Sequence, residues 1–108
     1  MNNQIKELIE RVESLGWTVS KEGENEYRLS KHSPQGQDFS IIIGGETTED
    51  FINNIRRAYE RFDISEETYL RLDSRGHGIN SALYDIRDVL EDMEACEQMI
   101  LSLYSKLS

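Results

Sequence analysis

Six carboxylates crowd one short stretch of this chain: Asp85, Asp88, Glu91, Asp92, Glu94 and Glu97, with Arg87 the lone base among them. A row of carboxylates suits two kinds of chemistry. Paired acids can pass protons, but only where burial in a cleft shifts their pKa. Exposed acids accept charge-assisted hydrogen bonds from a partner's Arg or Lys. The spacing favours the second. At 100° per residue, with Ile86 at zero, Asp85, Asp88, Glu91 and Asp92 fall between about 140° and 260°. That predicts a stripe on the face away from an apolar seam of Leu83, Ile86, Leu90, Met93, Ile100, Tyr104 and Leu107. Residues 85–92 cover about 10 Å of helix, a row loosely comparable to backbone phosphates. Tyr84 lies beside the stripe and adds contact area, and Glu94 and Glu97 add a second edge. Glu97 falls near the seam, so either it meets a cation such as Arg57 or Arg61, or the core narrows there. The plainer reading of the whole run is a solvated helix face.

Other reactive side chains are sparse. His32, His77 and Cys96 lack the paired spacing of a zinc site, so no metal is expected. Gly76-His77-Gly78 reads as a turn carrying a loop histidine. The run 73–78, DSRGHG, lacks the alternating oxygens of a calcium loop. Gly44-Gly45 joins a strand to a helix, but Glu46, Glu49 and Asp50 would repel a phosphate there, and no P-loop lysine follows. No nucleophile motif surrounds any serine. The arginines 56, 57, 61, 71 and 75 interleave with Glu60, Asp63, Glu66, Glu67 and Asp73, which predicts intramolecular pairing. The expectation is a protein without catalytic residues, cofactor or enzymatic activity.

The totals set the frame. The 108 residues carry 12 bases and 21 acids, net −9. Such a balance disfavours direct nucleic-acid binding, which needs Lys and Arg to displace counterions, and disfavours anionic membranes. It favours encounter with a basic protein. At 37% hydrophobic and 31% charged, the chain reads as a single globular domain over 1–108. The opening MNNQIKELIE has no signal-peptide pattern, and the single cysteine forms no internal disulfide. A cytoplasmic setting is the expectation.

The elements that must position the acids follow from periodicity. Residues 3–15 place Ile5, Leu8, Ile9, Val12 and Leu15 on one helical face, and Gly16 ends the helix. WTVSK (17–21), EYRLSK (26–31) and DFSIII (38–43) read as three strands of an antiparallel meander, joined by EGEN and HSPQGQ. Thr47 or Thr48 caps a helix to about Phe62, with Phe51, Ile55, Ala58, Tyr59 and Phe62 as its apolar stripe. Ser65 caps a short helix that 73–78 breaks. Asn80 or Ser81 caps a last helix running to about Lys106. The order α-β-β-β-α-α-α predicts an α+β fold, a three-stranded antiparallel sheet packed by helices on one face, with a long C-terminal helix.

Residues 61–100 carry Phe62-Asp63, Ser65, Tyr69-Leu70, Leu72-Asp73, Gly76-His77-Gly78, Asn80, Tyr84-Asp85, Arg87-Asp88-Val89 and Glu91-Asp92-Met93-Glu94. This pattern resembles small acidic accessory proteins of bacterial mobile genetic elements, with Arg71, Leu90 and Ser81 as departures. The resemblance implies an inhibitor of the anti-CRISPR or anti-restriction kind. Its partner would be a basic protein, an RNA-guided nuclease whose nucleic-acid channel the acids would fill as a DNA mimic. The alternative is a helical interaction module of a mobile element, a monomer or weak homodimer, whose acids keep it soluble.

Overall fold

The computed structural model describes residues 3–79 and 85–108. Along them run helix α1 (Asn3–Ser14), strands β1 (Thr18–Gly23), β2 (Glu26–His32) and β3 (Asp38–Gly44), and helices α2 (Thr48–Arg61), α3 (Ile64–Leu70) and α4 (Ile86–Leu107). The expected α+β order is therefore borne out, including the long C-terminal helix. The strands form one antiparallel meander, β1-β2-β3. No helix among the described residues is long and apolar enough to cross a membrane.

Local chemistry explains each boundary. α1 buries Ile5, Leu8 and Val12. It ends in a Schellman motif: Trp17 N–H donates to Val12 O at 3.4 Å and Gly16 N–H to Glu13 O at 3.0 Å. Gly16, at φ 97°, takes the left-handed position that a side chain would resist. On the sheet, alternation sends Tyr27, Leu29, Phe39 and Ile43 inward and leaves Arg28, Ser30, Ser40 and Ile42 on the uncovered face. Thr47 proves to be the cap of α2, accepting from Asp50 N–H at 3.1 Å. Gly45 lets that helix approach β3, because a Cβ there would lie 2.7 Å from Phe51 N.

Two caps differ from expectation. α3 is capped by Asp63, which accepts from Glu66 N–H, rather than by Ser65. Both types cap well, and Asp63 wins because Ile64 already belongs to the helix. Asn80 and Ser81 lie outside the described residues; α4 begins later, capped by Asp85 in a reciprocal capping box with Asp88.

The core is one cluster lying between the sheet's inner face and the helices. Trp17, Phe39 and Phe62 form a chain of rings, with centroids 6.4 Å and then 5.8 Å apart. α4 supplies Val89, Met93, Cys96, Ile100, Leu103 and Leu107. This corrects the expected seam. Met93, Ile100 and Leu107 belong to it, but Ile86 and Leu90 are 58% and 36% exposed and Tyr104 is only partly buried. Leu83 lies outside the described residues. The buried direction of α4 is rotated by about 70° from the expected one, at 100° per residue.

Candidate functional site

That rotation reorganises the acidic row. Asp92, expected on the solvent face, is 2% exposed. Its Oδ2 accepts from Ser33 Oγ and its Oδ1 from Gln35 N–H at 3.1 Å. Ser33 Oγ in turn accepts from Gln37 N–H at 2.8 Å. Asp92 thus ties the β2–β3 loop to α4 and offers no surface to a partner. Burial of a carboxylate demands such partners, and the loop's hydroxyl and backbone N–H provide them.

Asp85 and Asp88 are also engaged. Asp85 accepts from Asp88 N–H at 3.0 Å, and Asp88 accepts from Asp85 N–H at 3.1 Å. The Asp88 backbone N–H holds the Asp85 carboxyl below its ordinary pKa. Asp85 is exposed and Asp88 half-buried, so the pair edges the surface while serving the helix end. Glu91 and Glu94 are exposed and Glu97 is half-buried. None of these three forms an ion pair among the described residues. Neither Arg57 nor Arg61 meets Glu97: Arg57 donates to Asn54 Oδ1 at 3.3 Å. The free acidic edge is therefore Glu91, Glu94 and Glu97, at successive three-residue steps over about 9 Å. Tyr84 lies outside the described residues.

The middle-segment arginines pair in part as expected. Arg71 meets Glu67 at 2.7 Å and Arg56 meets Glu60 at 4.0 Å. Asp73 receives the N–H groups of His77 and Arg75 at 3.0 and 2.8 Å, which lower its pKa and shape the 73–77 turn. Cys96 is buried; desolvation first, then the charge of Asp92, pushes its thiol up to about 12. A thiol so protonated is a poor nucleophile. Among the described residues no three His, Cys, Asp or Glu side chains cluster to hold a metal.

A cleft of about 320 Å³ opens beside the sheet between Thr18, Arg28, His32, Asp38, Ser40 and Arg71. Its arginines and lysine are already engaged: Arg28 by Glu22 and Ser40, Arg71 by Glu67, and Lys31 by Leu15 O.

A second feature was missed from sequence. Ser65, Thr68, Tyr69, Leu72, Ile86 and Leu90 line an apolar groove of about 150 Å³ between α3 and the first turns of α4. Tyr69 is 78% exposed and the adjacent Leu70 62%. The sequence signal was partial: Ile86, Val89, Leu90 and Met93 share an arc of about 100°, of which Val89 and Met93 are buried while Ile86 and Leu90 are left at the groove.

No protein-family model matches this chain, and none of the curated proteins or solved structures compared with it does either.

Proposed function

We propose that this protein is a non-enzymatic inhibitor of a host defence nuclease, docking the acidic face of α4 on a basic nucleic-acid-binding surface. The observation that carries the reading is the edge Glu91, Glu94 and Glu97, carboxylates on a rigid helix without an ion-pair partner among the described residues. Such groups form charge-assisted hydrogen bonds when a partner brings arginines. The net charge of −9 steers encounter toward that partner and away from nucleic acid itself. The resemblance over 61–100 supports the RNA-guided, DNA-cleaving class as the first target, since its channel is positively charged. The contact differs from a simple phosphate-like row, because Asp92 serves the core and Asp85 and Asp88 serve the helix cap.

The test is cleavage of target DNA by a type II RNA-guided nuclease with this protein titrated in. Inhibition that fades with salt supports the reading. Undiminished inhibition by a folded Glu91→Gln, Glu94→Gln, Glu97→Gln variant counts against it.

A second reading draws on the exposed Tyr69, Leu70, Ile86 and Leu90: an interaction module of a mobile element that pairs with its own copy. A solution mass well above 12.6 kDa, insensitive to salt, would favour it.

A further inference from the structure

The sheet has two edges, and they are built differently. Ser33 N–H donates to Gln37 O at 2.8 Å and Gly45 N–H to Asn25 O at 3.0 Å, so both ends of the β2–β3 ladder close on odd-numbered pairs. Hydrogen-bonded pairs alternate along an antiparallel ladder. Phe39, Ile41 and Ile43 therefore bond β2, while Asp38, Ser40, Ile42 and Gly44 turn their backbone N–H and C=O away from it. No other strand lies beside β3. Gly44 O accepts from Asn54 Nδ2 at 2.6 Å, which closes that end. Among the described residues no hydrogen bond reaches the backbone of Asp38, Ser40 or Ile42. Such a row of donors and acceptors is a template for one kind of group, the backbone of another extended strand.

Natural sheets blunt a free edge with lysine, proline or a bulge. β1 follows that rule. By the same alternation it turns the backbone of Val19 and Lys21 to its open side, and its register shifts between Lys21 and Gly23. β3 does not follow it. Its register runs unbroken over Asp38–Gly44, without lysine, arginine or proline. Ile42 is 44% exposed, and Ile41 on the inner face is only partly buried.

We infer that β3 pairs with β3 of a second copy, antiparallel and with Ser40 on the two-fold axis, which joins two three-stranded sheets into one. This register uses the open stretch alone. Asp38 meets the second copy's Ile42 and Ser40 meets its Ser40, each pair exchanging two backbone hydrogen bonds. On the inner face Phe39 comes beside the second copy's Ile41. The stretch carries one charge, Asp38, and the register holds the two Asp38 residues about 14 Å apart, beyond the Debye length at physiological salt. A second copy suits the edge better than a flexible peptide, because its strand is already ordered and loses no chain entropy on pairing. The net charge of −9 on each copy opposes association, so the dimer is weak and salt strengthens it by screening. The pairing stands apart from any contact of α4 with a nuclease.

The test is sedimentation equilibrium of the full chain over a concentration and salt series, with amide hydrogen exchange in dilute and concentrated protein. The mass rises toward that of a dimer with concentration, and further at higher salt. The Ser40 and Ile42 amides exchange fast in dilute protein and slowly in concentrated protein, whereas the Phe39, Ile41 and Ile43 amides are slow in both. Ile42→Pro removes an outward N–H without touching a bond to β2, and it raises the dimer dissociation constant about tenfold or more. Ile42→Glu sets a like charge opposite the second copy's Asp38 and weakens the dimer severalfold; Ile42→Lys sets an opposite charge there and dimerises more tightly than Ile42→Glu. Tyr69→Ala, on α3, leaves the dimer unchanged. If Ile42→Pro does not fold by circular dichroism, the order of the Glu and Lys variants decides. A monomer at every concentration and salt up to the solubility limit overturns the inference. So does a dimer that a folded Ile42→Pro keeps, one that Tyr69→Ala dissolves, one equally tight in the Glu and Lys variants, or one that forms without slowing the Ser40 and Ile42 amides.

Discussion

Replacing Asp92 by Ala removes the two acceptors that hold the β2–β3 loop on α4. Ser33 Oγ and Gln35 N–H then lose their partner, in a site where Ser33 is 4% and Asp92 2% exposed. A fully buried donor left unsatisfied costs about 1–3 kcal/mol, so buried Ser33 Oγ and half-buried Gln35 N–H together would cost at most about 6 kcal/mol. Water entering the space vacated by the carboxylate offsets part of this, which places the expected loss near 3 kcal/mol. For a chain of this size that lowers Tm by roughly 10–20 °C, at several degrees per kcal/mol. Asp92→Asn keeps one acceptor and should lose less. Glu91→Ala, one position away but solvent-facing, should stay within about 0.5 kcal/mol of wild type. Urea unfolding of the three variants, with thermal melts, reads the difference. An Asp92→Ala variant as stable as Glu91→Ala would refute the helix phase, and with it the division of the acids into structural and free.

Two further outcomes follow from the same side chains. The Asp85 carboxyl has its pKa lowered in the folded protein from an ordinary 3.8, so its contribution is present above that value and is lost as pH falls through the lower folded one; in an acid titration followed by helical circular dichroism, Asp85→Ala should lack the part of the transition in that window. The Cys96 thiol, buried and pushed up to about 12, should resist alkylation at mildly alkaline pH in the native protein and react readily in denaturant; fast native labelling would contradict its packing against α4's neighbours.

Much of the fold was legible because its patterns are unambiguous. Tyr27, Leu29 and Phe39 alternate with polar residues, and only one sheet face can take them. Ile5, Leu8 and Val12 mark one side of a helix whose other side is charged. α4 was harder because its apolar residues surround it. Ile86 and Leu90 suggest one seam; Val89, Cys96 and Leu103 define another, and packing against α2 and α3 decides between them. The charge of Asp92 argued for solvent, while its partners sit 57 and 59 positions away in the sequence. No local pattern announces such a pairing. The same ambiguity hid the α3–α4 groove, since residues assigned to the core in sequence remained at its edge in space. The free acidic edge was half legible: Glu91, Glu94 and Glu97 were among the residues singled out, but the stripe built around Asp88 and Asp92 was not the one that faces solvent.

The most direct measurement is DNA cleavage by a type II RNA-guided nuclease across a salt series, with the wild type or the Glu91→Gln, Glu94→Gln, Glu97→Gln variant added before or after target loading. Docking through the acidic edge predicts inhibition by the wild type on early addition only, weakening with salt and largely lost in the folded variant; equal inhibition by wild type and variant at every salt concentration would contradict it.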